Sequence, residues 1–444
     1  MPDWPIEKLG DLVDASRGIS YGIVQPGEHQ PGGVPIIRVS DLKGDSVDTG
    51  KPLRVAPSIE AAHSRTRLRG GELIMSIVGT VGQTAIVDSS LEGWNVARAV
   101  AVIPVKQDIG PYWIRLSLKG GPARAHIQDR LNTTVQATLN LRDLASLPIV
   151  LPPAPERRAI AATLGALDDK IELNRKMNAT LEAMARALFR DWFVDFGPTR
   201  ARMALSASGA KTASEPRAPN LSPDLWPLFP DRLDDEGKPE GWEVSTIGEE
   251  VRVVGGSTPS TKDPDLWDGD INWATPKDLS NLAAPVLLET SRTISAAGLA
   301  KISSGQLPVG ALLLSSRAPI GYLAIAEVPV AINQGFIGMI CDKRISNAFA
   351  WLWTLENMDA ILAKANGSTF QEISKGNFRP LPVVVPAEPV LRAFDAIAKP
   401  LYARIAKNER ESRTLAQTRD LLLPRLMSGE LRVAEVARLA SEVA

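Results

Sequence analysis

Four groups of residues in this sequence have types that could carry chemistry. Asp41-Leu42-Lys43 resembles half of a nuclease metal site, in which carboxylate oxygens hold magnesium. Its counterpart later in the chain, Asp278-Leu279-Ser280, lacks the lysine, which argues against nuclease chemistry. Gly50-Lys51 suggests a phosphate-cradling loop, but the preceding glycine is wrongly spaced and Pro52 stands where Ser or Thr would hold magnesium. ATP hydrolysis is not indicated. His29, His63 and His126 are widely separated and lack ligand spacing. Cys341, the only cysteine, follows the apolar run Phe336-Ile337-Gly338-Met339-Ile340, so an internal disulfide and a cysteine-based zinc site are excluded and a buried, inert thiol is expected. No glycine-rich dinucleotide turn is present. Nor is there an Asn/Asp-Pro-Pro-Tyr/Phe stretch, because Pro152-Pro153 runs into Ala154. The expectation is a non-catalytic chain that binds no cofactor and no metal.

The elements that would position any site are set by length and repetition. A chain of 444 residues can bury two to three cores. Its charges nearly cancel, to a net of -1, so any basic surface must be local. Met1-Pro2-Asp3-Trp4-Pro5 lacks the basic and apolar regions of a signal peptide, and no apolar run reaches the roughly 18 residues of a membrane span. A cytoplasmic location with no membrane partner is expected.

An internal duplication organises the chain. Trp4-Pro5-Ile6-Glu7-Lys8-Leu9-Gly10-Asp11 returns as Trp242-Glu243-Val244-Ser245-Thr246-Ile247-Gly248-Glu249, a shift of 238 positions. Val39-Ser40-Asp41-Leu42 matches Pro276-Lys277-Asp278-Leu279, Leu73-Ile74-Met75-Ser76 matches Leu312-Leu313-Leu314-Ser315, and Leu147-Pro148-Ile149-Val150 matches Leu381-Pro382-Val383-Val384 at a shift of 234. A shift that drifts so little marks a duplicated domain with small loop insertions. Each copy opens with short β-type runs punctuated by Gly and Pro, with helix-like stretches near 111–131 and 347–365, which reads as a mixed α/β (α+β) domain. Each copy then enters a long helix behind Pro155 or Pro389. The expected division is 1–152 and 242–386 for the mixed domains, 153–196 and 387–432 for the helices, 197–241 for a linker of loop composition, and 433–444 for a C-terminal tail.

The first helix keeps a strict 4-3 spacing through Ile160, Leu164, Leu167, Ile171, Asn174, Asn178, Leu181, Ala185, Leu188 and Trp192. The second repeats it through Phe394, Ala398, Leu401, Ile405, Asn408, Ser412, Leu415, Arg419, Leu422 and Leu426. A 3.5-residue period over several heptads is a coiled-coil seam. The simplest closure pairs the two helices antiparallel about a pseudo-twofold axis, which would bring Asn174 close to Asn408. A polar residue at a seam costs stability but can fix register.

The stretch Leu151-Pro152-Pro153-Ala154-Pro155-Glu156-Arg157-Arg158-Ala159-Ile160, continuing through Leu164-Gly165-Ala166-Leu167-Asp168-Asp169-Lys170-Ile171-Glu172-Leu173-Asn174, resembles the central conserved region of the specificity subunits of Type I restriction-modification systems. So does the closing segment Leu188-Phe189-Arg190-Asp191-Trp192-Phe193-Val194-Asp195-Phe196. Gly255-Gly256-Ser257-Thr258-Pro259-Ser260, with Trp267-Asp268-Gly269-Asp270-Ile271-Asn272-Trp273 and Thr275-Pro276-Lys277-Asp278-Leu279, looks like the start of a target-recognition domain of that family. Glu156-Arg157 departs from the family's usual Glu-Gln, and the second helix, at Pro389-Val390-Leu391, loses both residues. The resemblance implies two target-recognition domains separated by two long antiparallel coiled-coil helices. Each domain would read one half of a bipartite double-stranded DNA sequence, with the helix pair as the ruler between them. It implies further that two adenine methyltransferase subunits and ATP-dependent restriction subunits are the partners. S-adenosylmethionine, ATP and magnesium would then belong to those partners and not to this chain.

Base edges are read by Arg or Lys on guanine and Asn or Gln on adenine, supported by phosphate contacts. Under that implication the candidates in the first copy are Arg38, Ser40, Lys43, Arg98 and the polar run Asn132, Thr133, Thr134 and Gln136, with Arg65, Arg67 and Arg69 as a phosphate cluster. In the second copy they are Thr275, Lys277, Ser316, Arg317, Asn333, Gln334, Ser368, Thr369, Gln371 and Lys375. Trp192, Phe193 and Phe196 are candidates for docking a methyltransferase subunit, because exposed aromatics mark interfaces; packing onto the chain's own recognition domain is the alternative.

Overall fold

Unbroken apolar runs such as Leu73-Ile74-Met75 and Leu312-Leu313-Leu314 demand strands buried on both faces. The computed structural model describes residues 4–131, 137–207, 221–367, 371–436 and 438, and it forms strands at both places. The chain divides into two units, residues 1–170 with 414–444 and residues 171–413.

In the first unit, Leu73–Ser76 and Val100–Ile103 pair antiparallel and are wholly buried, with Ser20–Tyr21 and Thr84–Ile86 outside them in a four-stranded sheet. A second sheet is ordered Leu53–Val55, Val34–Ile37, Asn95–Val96, and its last pair is parallel. Ile6–Lys8 pairs with Pro148–Val150, which joins the beginning of the domain to its end. Helix Pro111–Lys119 covers the larger sheet and Gly121–Arg130 packs against Pro148–Val150, and Gly121, at φ 58°, makes the turn between them in a backbone region that costs glycine nothing.

The second unit repeats this plan. Glu243–Thr246 pairs with Pro382–Val385, and Arg252–Gly255, Phe336–Ile340, Leu312–Ser316 and Ile320–Ala326 follow the order of the first four-stranded sheet, with Val286–Leu287 added at the edge. Arg292–Ile294, Trp267–Ala274 and Val330–Ile332 repeat the smaller sheet, again with a parallel last pair. Helix Asn347–Glu356 starts at Ser346, whose hydroxyl accepts from Phe349 N at 3.2 Å, and residues 348–354 are buried all round.

Both long helices are present, Ala154–Phe193 with 40 residues and Glu388–Ser428 with 41. Each contributes to both units, and within each unit the two segments run antiparallel. In the first unit Glu156 faces Arg432 and Asp168 faces Arg419; in the second, Asn174 meets Ser412 and Phe193 meets Phe394. At the seam, Ile160, Leu164, Ile171, Asn174, Asn178, Ala185 and Trp192 are buried, and Leu167, Leu181 and Leu188 are half-buried. On the other helix Phe394, Ala398, Ile405, Asn408, Ser412 and Leu426 are buried, while Leu401, Leu415, Arg419 and Leu422 are half-buried.

Within the second unit, Asn174 is 0% and Asn408 1% exposed, yet their side chains do not bond to each other. Asn174 Nδ2 donates to Glu411 Oε2 at 2.9 Å, Ser412 Oγ at 3.2 Å and the Asn408 carbonyl at 3.4 Å. Asn408 Nδ2 donates to Asn178 Oδ1 at 2.8 Å, and Asn178 Nδ2 to Glu409 Oε1 at 2.8 Å. The polar belt is therefore wider than a single asparagine pair, because an antiparallel crossing interleaves positions one turn apart.

Two expectations are corrected. The segment read as a linker, 197–241, carries helix Gly197–Ala207 and a 3-10 turn at Pro223–Leu228. Leu221 and Phe229 from this segment, with Trp242 just beyond it, are buried in one core with the aromatics of the long helix, which anchors the described part of a stretch whose composition alone reads as loop. Trp192, Phe193 and Phe196 do not form an exposed docking patch. Trp192 is 0% exposed and sits edge-on to Phe229 at 4.9 Å, Phe193 packs on Phe394 at 5.0 Å, and half-buried Phe196 packs on Trp242 at 5.8 Å. Burial of this much aromatic surface in the chain's own core removes it from any partner.

Arg157, where the family pattern has glutamine, is buried and donates to the carbonyls of Pro152 at 3.1 Å and Asp108 at 2.8 Å. A guanidinium at this position spans two loop carbonyls and ties the start of the helix to its domain.

Candidate nucleic-acid interface

At one end of each domain, the strand ends of both sheets are joined by backbone hydrogen bonds. In the first copy, three residues, Ala97-Arg98-Ala99, connect strand Asn95–Val96 to strand Val100–Ile103. Ala97 N donates to Ile37 O at 2.9 Å, Ile77 N to Ala99 O at 2.8 Å, and Leu139 N to Ile77 O at 2.9 Å. In the second copy, three residues, Asn333-Gln334-Gly335, connect Val330–Ile332 to Phe336–Ile340. There Asn333 N donates to Ala274 O at 3.0 Å, Ser316 N to Gly335 O at 2.8 Å, and Ile373 N to Ser316 O at 3.0 Å. A glycine closes each seat from below: a Cβ on Gly22 would lie 1.8 Å from Val96 O, and one on Gly256 would lie 1.7 Å from Ile332 O. Only glycine allows this approach.

The loops around the seat carry most of the candidate side chains. In the first copy, Arg98, Ser40 and Lys43 are exposed. Arg38 grips Asp41 through two bonds of 3.0 and 2.8 Å, and Arg38 N donates to Asp41 Oδ2 at 2.8 Å, so both residues are used in forming the turn after strand Val34–Ile37. Burial would raise the Asp41 carboxyl, but these bonds outweigh it and hold it below the usual range. Asp278 forms the matching turn, accepting from Thr275 N at 2.7 Å and Thr275 Oγ1 at 2.8 Å. The pair that looked like half of a nuclease site thus caps turns. Among the described residues no group of His, Cys, Asp and Glu could hold a metal ion.

The cluster Arg65, Arg67 and Arg69 is exposed, but its members differ in how they are engaged. Arg67 forms a two-bond pair with buried Glu60, whose carboxyl it holds below the usual range, and Arg65 Nε donates to Arg17 O at 2.6 Å. The backbone N of Arg69 donates to Glu72 at 2.9 Å.

In the second copy, Lys277, Gln334, Gln371 and Lys375 are exposed, and Thr275 and Asn333 are half-buried. Asn333 Oδ1 accepts from Gly335 N at 2.9 Å, which shapes the loop. Arg317 stands at the end of strand Leu312–Ser316, beside Glu372 at 3.6 Å. Lys375 lies over the seat, since a Cβ on Gly255 would meet its Nζ at 2.9 Å. Ser316 is a correction: it is buried inside the strand with both backbone groups bonded, and cannot reach a base. Asn132, Thr133, Thr134, Gln136, Ser368 and Thr369 lie outside the described residues.

The sequence profile of the Type I restriction modification DNA specificity domain matches residues 1–183 and again 239–399, well over half of the chain. The chain belongs to the Type I restriction-modification specificity-subunit family. Such specificity subunits are the non-catalytic, DNA-recognising members of their systems. A relative, the Type I restriction enzyme HindI specificity subunit of Haemophilus influenzae, is 26% identical over 389 residues, covering 79% of this chain and 84% of the relative. The putative Type I restriction enzyme MjaX specificity subunit of Methanocaldococcus jannaschii is 22% identical over 97% of this chain and 94% of its own. The solved S subunit of a Type I restriction-modification system from M. genitalium matches with a TM-score of 0.52 at 14% identity, over 96% of either chain, a likeness of fold. Two matched domains in one specificity subunit account for the duplicated seats. No helix among the described residues is long and apolar enough to cross a membrane.

Sequence reasoning missed Asp168, although it lies in the stretch that carries the family resemblance. It accepts from Tyr112 OH at 2.8 Å, Arg115 at 2.5 Å and Arg419 at 2.7 Å, which ties the domain helix to both long helices within the first unit. The only signal in the sequence was an acidic residue beside a seam position.

Proposed function

We propose that this specificity subunit reads a bipartite double-stranded DNA target, one half-site at each seat, and directs adenine methylation and ATP-dependent cleavage by partner subunits. Two methyltransferase subunits and restriction subunits are the partners. S-adenosylmethionine, ATP and magnesium are held by them, and this chain binds none. The observation that carries the reading is the repetition of one backbone-built seat in two domains whose accessible side chains differ: exposed Arg98 and Ser40 in one, exposed Gln334 and Lys277 with half-buried Arg317 in the other. Equal scaffolds bearing unequal hydrogen-bonding groups suit two different half-sites. A chain of net charge -1 further suits a subunit whose partners supply part of the phosphate grip, so DNA binding by the chain alone should be weak and salt-sensitive.

The test is long-read mapping of methylated adenines in cells that carry the methyltransferase partner, with and without this chain. A split motif with a fixed gap, seen only with the chain, is expected. Arg317→Ala should relax the second half-site alone, by about 1–3 kcal/mol. Chain-independent methylation, or equal loss at both halves, would count against the reading.

A further inference from the structure

The two seats can be superposed residue by residue through their hydrogen-bond registers. Ile37 pairs with Val96, and Ala274 with Ile332; Val100 pairs with Ser76, and Phe336 with Ser315. Ser76 and Ser315 are also used alike: the hydroxyl donates to a carbonyl four residues on and accepts from the backbone N seven residues on. Between these fixed points each copy has three residues, so Arg98 and Gln334 occupy the same place, the exposed middle of a loop whose two neighbours are bonded into the sheets. Val78 likewise stands where Arg317 does.

We infer that this middle position selects the base in each half-site: Arg98 takes guanine in the first and Gln334 takes adenine in the second. The inference rests on the DNA-reading role proposed above. A guanidinium matches the O6 and N7 acceptors of guanine, and a carboxamide matches the N6 donor and N7 acceptor of adenine. Of the other arginines proposed for the first half-site, Arg38 and Arg67 are committed to Asp41 and Glu60. The Arg98 backbone N donates to Ile23 O at 2.8 Å, while its exposed guanidinium makes no hydrogen bond or ion pair with another described residue. Thr258 Oγ1 donates to Gln334 Oε1 at 2.5 Å, which orders a side chain with three free torsions and leaves a lone pair on Oε1 and both Nε2 hydrogens for a base.

The test is the reciprocal exchange Arg98→Gln and Gln334→Arg in the full chain assembled with its methyltransferase partners, read by mapping methylated adenines. Arg98→Gln should convert one G·C pair of the first half-site to A·T, with preference changing by roughly 5- to 150-fold, while the second half-site and the gap stay fixed. Gln334→Arg should do the reverse in the second half-site. Arg98→Lys should retain guanine, and Arg98→Ala should relax that one pair only. An unchanged motif in both exchanges, or uniform loss over all positions with the complex still assembled, would overturn the assignment. If the wild-type chain directs no split motif at all, the DNA-reading role fails first and this assignment falls with it.

Discussion

Replacing Asp168 by Asn keeps the shape of the side chain and removes its charge. Arg115, 7% exposed, and Arg419, 17% exposed, would then face a neutral amide whose NH2 group is itself a donor. Breaking one partner out of a buried ion pair costs about 3–5 kcal/mol. Arg115 keeps Asp45 at 3.4 Å and Arg419 keeps Asp420 at 2.8 Å, so the low end, about 3 kcal/mol, applies. That is a large fraction of the 5–15 kcal/mol typical of a domain. A chain of two units need not unfold in one step, so the suitable assay is hydrogen exchange resolved by segment. Amides of helix Pro111–Lys119 should exchange on the order of 100-fold faster, and those of strand Leu312–Ser316 in the other unit should not change. The pH dependence gives a second readout. Burial would raise the Asp168 carboxyl, but Arg419, Tyr112 and Arg115 outweigh it and hold it below 3.8. Its contribution is therefore complete above the unfolded value near 3.8 and is lost as pH falls through the lower folded value. Wild type should show this acid-labile component and Asp168→Asn should lack it. Protection within threefold of wild type in the variant, or equal loss in both units, would refute the reasoning.

Trp192→Ala should cost about 3–5 kcal/mol in thermal unfolding, and Trp192→Phe much less, because the indole N–H is buried without a partner among the described residues and its removal relieves a desolvated donor. Weakened partner assembly at unchanged unfolding would contradict the core placement. Asn178→Leu strips the Asn408 side-chain amide of the one acceptor it has among the described residues and should cost about 1–3 kcal/mol, and adding Asn408→Leu should recover most of it; a double-mutant cycle showing simple additivity would dissolve the belt. Cys341 is half-buried rather than buried as expected, yet desolvation, with Asp342 adding to it, pushes its thiol up to about 12, so alkylation at pH 8 should be slow until the chain is denatured. Rapid labelling of the folded chain would argue the opposite.

The duplication, the strand runs and both long helices were legible because period and spacing are local properties of the sequence. The seam positions could be read for the same reason, and Asn178 and Ser412 stood in the pattern beside Asn174 and Asn408. Which polar partners they would meet was not legible, since that depends on how two distant helices interleave. The aromatics at 192–196 misled because sequence gives apolar surface but not what covers it, and part of the cover, Phe229, lies in a segment that reads as loop, while Trp242 opens the next domain. Arg38 illustrates the limit for the candidate site. An arginine three residues before an aspartate can read a base or cap a turn, and only the fold shows that it caps.

The hydrogen bonds that tie each loop to its sheets run between main-chain atoms, with Asn333 Oδ1 adding one side-chain bond inside the second loop, and glycines at 22 and 256 are the residues whose approach they require. Information and support are thereby carried by separate atoms. A change at position 98 or 334 alters what the loop presents without touching what keeps it in place. Such a seat can exchange its exposed side chain while its host remains folded, which is what the proposed reading of two unlike half-sites asks of it.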